Sequence, residues 1–150
     1  MSERSDKVRR FIDSFMLAIP HLKALGISYH GHGRGWSELA LPYAEHLVAY
    51  PDASLNGGVI ASGAIFSLMD SAGGFSVMTA ADQMQPVATL DLRLDYLRAA
   101  TPGQAVIGRS EVQKLTRSVI FVRGVAHNGD PERPIAHMTG TFMFTAGAKE

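Results

Sequence analysis

The chain has 150 residues, 46% of them apolar and 19% charged, an ordinary globular composition that excludes a disordered or fibrous protein. Fourteen basic residues balance fourteen acidic ones, so no excess positive charge is available to hold a nucleic acid. The chain has no cysteine, which excludes disulfides, thiolate nucleophiles and Cys-ligated zinc.

From the N-terminus, Met1 to Arg10 is strongly charged and carries no apolar core, so it does not read as a signal peptide. Val8, Phe11, Ile12, Phe15, Met16 and Ile19 recur at helical spacing, with Ser5 as N-cap and Pro20 as the stop. Extended segments follow at about 27–31 and from Trp36 to Leu41, the latter ended by Pro42; residues 51–58 have loop composition. The stretch 59–80 is apolar on nearly every side and predicts a helix buried all round, with Gly73 and Gly74 interrupting it near its end. From Ala53 to Ala81 the only charge is Asp70, and five glycines with that central Asp argue against a membrane span. A soluble cytoplasmic protein with no membrane partner is expected.

After the helix the period changes to two. Ala88, Leu90, Leu92, Leu94 and Tyr96 alternate with Thr89, Asp91, Arg93 and Asp95, the pattern of a half-buried strand. Thr101, Pro102 and Gly103 make a turn, and further strands are expected at about 104–115, 118–126 and 135–144, separated near Arg117 and at Asn128-Gly129-Asp130. Short links between successive strands imply antiparallel pairing, so the pattern gives an α+β chain: one antiparallel sheet with one apolar helix.

The run from Ser62 to Gly74, Ser-Gly-Ala-Ile-Phe-Ser-Leu-Met-Asp-Ser-Ala-Gly-Gly, resembles the central helix of the phenylacetyl-CoA-thioesterase-like (PaaI-type) hotdog family. Thr89 to Arg98 followed by Ala100-Thr101-Pro102-Gly103 resembles that family's next strand, and Gly140-Thr141-Phe142 its closing strand; the similarity covers roughly 39–144. The resemblance implies one hotdog domain over residues 1–150, in which the antiparallel sheet wraps the long helix. It also implies acyl-CoA as substrate, thioester hydrolysis as the reaction, and a homodimer or homotetramer with its sites between subunits. No metal or redox cofactor is implied.

By the same resemblance Asp70 matches the helix carboxylate that attacks the thioester carbonyl or activates water. The family's usual His-Gly-Gly at the helix start falls on Ala61, Ser62 and Gly63, so the histidine is missing. Asn56 matches an upstream asparagine near the catalytic water, and Thr89 a hydroxyl supplied across the dimer.

Elementary chemistry bears on each residue. A carboxylate inside an apolar helix is expensive unless paired, and buried charge clusters at sites; the plainer alternative puts Asp70 on an exposed stripe. At Ser62 and Gly63 the backbone N–H groups of a helix start can form an oxyanion hole, although Ser62 also suits an N-cap. Asn56 before two glycines also suits an ordinary turn, and Thr89 an ordinary strand. Arg117, in a hairpin turn, could meet a CoA phosphate. His30 and His32, two residues apart with no carboxylate nearby, read as solvated loop residues rather than metal ligands. Three rival readings stand beside thioester hydrolysis: a non-catalytic binder of acyl-CoA or another hydrophobic ligand, a hotdog hydratase, and a purely structural oligomer.

Overall fold

A computed structural model describes residues 3–82 and 84–145. Helix α1 spans Glu3–Ala18 and buries Ile12 and Met16, two of the helically spaced residues. The helix already includes Ser5 in its first turn, so Ser5 is not its N-cap. Pro20 starts a second helix, α2 (Pro20–Leu25), because proline suits a first-turn position, where no intrahelical donor is required. Gly26 closes α2 at φ 70°, a conformation glycine adopts without a side-chain clash.

Strands β1 (Ser28–Gly33) and β2 (Trp36–Leu41) form a hairpin. Between β2 and the long helix lie two short 3-10 turns, Glu45–Leu47 and Ala53–Leu55, and a minimal antiparallel pair, β3 (Val48–Tyr50) with β4 (Val59–Ile60). These two strands were not expected; three and two residues are too few to display a period. Helix α3 therefore begins at Ser62 rather than at residue 59 and continues to Ala80 without a break at Gly73 or Gly74. Strands β5 (Val87–Tyr96), β6 (Val106–Leu115), β7 (Ile120–His127) and β8 (Ala136–Phe144) complete the chain.

The main sheet has six strands in the order β1-β2-β6-β7-β8-β5, and every pairing is antiparallel. It wraps one side of α3, burying Ile65, Leu68, Met69 and Ala72 against Leu39, Val106, Val122 and Met138. This is the expected hotdog architecture. It depends on close approach: a methyl group on Gly73 would lie 2.7 Å from Cζ of Phe142, and one on Gly108 2.8 Å from Cγ of Leu68.

Contrary to expectation, α3 is not buried all round. Ser62, Gly63 and Phe66 are exposed, and Ser67, Asp70, Ser71 and Gly74 are half-buried. Residues four apart lie on one helix face, so Ser62, Phe66, Asp70 and Gly74 form a single open stripe. The histidines differ as well. His30 and His32 lie within β1; His32 is half-buried, with Nδ1 2.9 Å from the Tyr29 hydroxyl, and burial followed by the nearby Arg9 lowers its pKa. His127 ends β7 and is buried, accepting at Nδ1 from the Gly129 N–H; burial is the main cause of its lowered pKa.

Gly73→Ala should destabilise the fold by about 1–3 kcal/mol, because the Phe142 ring must be displaced to admit the methyl group. Urea titration should show a lower midpoint with an unchanged slope.

Candidate active site

Asp70 sits on the third turn of α3. Its carboxylate oxygen Oδ1 accepts a hydrogen bond of 2.7 Å from the Thr89 hydroxyl of β5. Strict alternation puts Thr89 on the face opposite the leucines, but the structure puts it on the same face. The register runs Thr89 opposite Phe142 and then Asp91 opposite Thr141, so Leu90 is an extra residue, a β-bulge. The bulge shifts the phase of the strand. Thr89 then faces α3 together with Leu92, Leu94 and Tyr96, and the hydroxyl that meets Asp70 comes from the same chain.

Asp70 itself is half-buried within one chain, not enclosed. The cost of burying a charge is therefore not what marks it out; the pairing with Thr89 and the adjoining cavity are. Beside this pair lies a cleft of about 180 Å³, walled by Phe15, Ile19 and Leu22 from α1, α2 and their junction, by Gly74, Phe75 and Met78 from α3, and by Val87 and Phe142 from the sheet. A carboxylate and a hydroxyl thus border a largely apolar hollow.

The helix start forms a second locus. Ala61, with φ −61° and ψ 136°, is the N-cap, and no side chain caps the helix. Ser62 is the first helical residue, so its hydroxyl does not cap. The first N–H groups of an α-helix have no intrahelical partner and carry the positive end of the dipole. Among them, the N–H of Ala64 reaches the Ala61 carbonyl at 3.1 Å. Ser62 and Gly63 are exposed, and open space lies where a Gly63 side chain would be. The Tyr96 hydroxyl donates to the Ser62 carbonyl at 2.8 Å, and burial raises the pKa of that phenol. Strand β5 therefore runs along α3 with Thr89 level with Asp70 and Tyr96 level with the helix start.

The two loci do not meet within one chain. Eight residues separate Ser62 from Asp70, which at 1.5 Å per residue is about 12 Å along the axis. Asn56 does not line the cleft beside Asp70. It is exposed, ends the second 3-10 turn at φ 49°, and adopts the left-handed conformation that asparagine tolerates. Arg117 is exposed in the β6–β7 turn and borders neither the cleft nor the helix start. A cation that was not singled out from the sequence, Arg98, lines a hollow of about 420 Å³ with Ser62 and Tyr96. Its guanidinium donates to the carbonyls of Ala99 and Arg133 at 3.0 and 2.7 Å. Its position just past the end of β5, the strand that borders the helix start, was the available signal.

Comparison with known proteins agrees with this fold. Residues 57–135 match the family model of the thioesterase superfamily. A medium/long-chain acyl-CoA thioesterase of Salmonella typhimurium, YigI, is 28% identical over 145 residues, covering 87% of this chain and 89% of that protein. A Pseudomonas aeruginosa relative, PA0474, is 30% identical over 87 residues; the match spans 58% of this chain and 63% of that protein's length. A crystal structure of another Pseudomonas aeruginosa protein superposes with a TM-score of 0.80 at 34% identity, covering 91% of this chain and 98% of that one. The Escherichia coli PaaI protein of the phenylacetic acid degradation operon superposes at 0.79 with 16% identity, covering 95% and 96%, which is a likeness of fold.

Proposed function

The chain belongs to the thioesterase superfamily, and from that premise we propose that it hydrolyses acyl-CoA thioesters at sites shared between two copies. The observation that carries this reading is the hydrogen-bonded Asp70–Thr89 pair at the border of an apolar cleft. The cleft takes the acyl group. Asp70 draws a proton from a water whose oxygen attacks the thioester carbonyl, or attacks the carbonyl itself to form a mixed anhydride that water hydrolyses once CoA has left, and Thr89 holds the carboxylate in position. The CoA thiolate leaves and takes up a proton.

The carbonyl oxygen gains negative charge as the tetrahedral intermediate forms, and helix-start N–H groups stabilise such an oxyanion. Those of Ser62 and Gly63 in the same chain are about 10–12 Å along α3 from Asp70, too far to act on one carbonyl. A second copy supplies them. Strand β5 ends the sheet, so its outer edge offers unpaired backbone groups for another strand. Leu90, Tyr96 and Leu97 on or beside that strand are exposed, as is Phe66 on the open stripe of α3. A twofold axis through the middle of β5 reverses the strand. It brings the Tyr96 end of one copy, with its helix start, to the Thr89 end of the other, with its Asp70. Asn56, on the chain segment leading to the helix start, serves that half of the site by orienting water. The protein works in the cytoplasm.

The second reading, a binder of acyl-CoA without turnover, is favoured by Ala61 in place of the family's histidine. Release of free CoA from short, medium, long and aryl acyl-CoAs separates the two: turnover on any supports hydrolysis, and binding without turnover supports the alternative. Asp70→Asn should keep the fold and acyl-CoA binding but lower turnover by about two to four orders of magnitude. Retention of most of the activity would exclude Asp70 as base or nucleophile.

Ser62→Pro tests the helix start. Proline is tolerated at a first helical position, and Ala61 already has the extended backbone that proline requires of its predecessor. The fold should survive, one N–H is lost, and turnover should drop by about two to three orders of magnitude. Ser62→Ala, which keeps the N–H, should lose far less; equal losses would assign the role to the hydroxyl.

A further inference from the structure

We propose that Phe15 and Gly74 set the upper size of the acyl group that the cleft admits, at about a six-carbon unit, a ring or a short chain. The proposal rests on the reading that this cleft receives the acyl group. Its volume is about 180 Å³. A cavity of roughly 150 Å³ lined by Leu, Ile and Phe holds one benzene, so the hollow has room for about one compact apolar group.

Two residues that line the cleft define that limit. Phe15 forms the rim: it lines the cleft and is 37% exposed. Its ring is held by stacking on Phe11 at 5.6 Å and by an edge contact with Phe75 at 5.8 Å, so its place in the cleft wall is braced. Gly74 lines the cleft one helical turn after Asp70. A methyl group added there would meet nothing closer than 3.5 Å from Val87 and 3.8 Å from Phe142, which is ordinary contact. The packing of the protein therefore requires glycine at position 73 but not at position 74. Glycine inside a helix is less stable than alanine. The room left at Gly74 opens into the cleft, and a ligand is what uses it.

The two positions predict opposite changes, which a general effect on folding does not produce. The measurement is kcat/KM for acetyl-, hexanoyl-, benzoyl- and decanoyl-CoA with the parent, Phe15→Ala, Phe15→Leu and Gly74→Ala, with melting temperatures alongside. In the parent, hexanoyl- or benzoyl-CoA should be preferred over decanoyl-CoA; the two arms separate chain from ring. Phe15→Ala should raise the decanoyl-to-hexanoyl ratio by about tenfold or more. Phe15→Leu should move it in the same direction and serves if the alanine variant does not fold. Gly74→Ala should raise the melting temperature while lowering the ratio of the preferred six-carbon substrate to acetyl-CoA by about tenfold. Parental preference for decanoyl-CoA, or ratios that stay put in these variants, would overturn the size limit while leaving thioester hydrolysis standing. A Gly74→Ala chain that melts lower would also overturn it, because glycine there would then serve packing. A parent inactive on every acyl-CoA would remove both readings.

Discussion

The close seating of α3 in the curve of the sheet is the constraint on which the rest of the structure depends. Phe142 reaches the helix backbone at Gly73, and Leu68 and Met69 reach the sheet backbone at Gly108, where any larger residue would collide. Burial on that side is complete at Leu39, Leu68, Met69 and Ala72. The opposite side of the helix, from Ser62 through Phe66 and Asp70 to Gly74, is left for something other than the core. The sheet ends at β5, whose inner face is tied to both ends of this stripe by the Thr89–Asp70 and Tyr96–Ser62 hydrogen bonds.

That geometry divides the proposed chemistry along one helix. The carboxylate and its hydroxyl partner stand at one level, next to an apolar hollow. The donors of the helix start, with the positive end of the helix dipole, stand about two turns away. One rigid helix cannot bring its own two halves together. An antiparallel copy laid against the free edge of β5 can, and it would cover apolar side chains that one copy leaves in water. In the proposed reading, self-association and catalysis both follow from the same open edge.

Much of the fold was legible in the sequence. The change of period from the apolar run to the alternation of Leu92, Leu94 and Tyr96 marks the helix and the strand after it, and the isolated charge marks Asp70. Features that depend on pairing between distant segments were not legible. The bulge at Leu90 exists only relative to β8; without it Thr89 reads as a residue of the far face. Whether α3 is enclosed depends on how far the sheet curls, which an apolar run does not encode. The β3–β4 pair is too short for any period, and Pro20 marks both the end of one helix and the start of the next. Arg117 looks available in its turn, yet Arg98 stands beside the helix start because β5 runs back along α3.

Mixing two inactive variants tests the shared site most directly. In a dimer of one Asp70→Asn chain and one Ser62→Pro chain, one site combines both defects and the other combines an intact Asp70 with an intact helix start. Random reassortment after co-refolding should therefore restore about a quarter of the parent turnover, although neither variant alone has appreciable activity. Recovery no greater than the sum of the two separate variants, with mixed dimers demonstrably present, would contradict a site built from two chains.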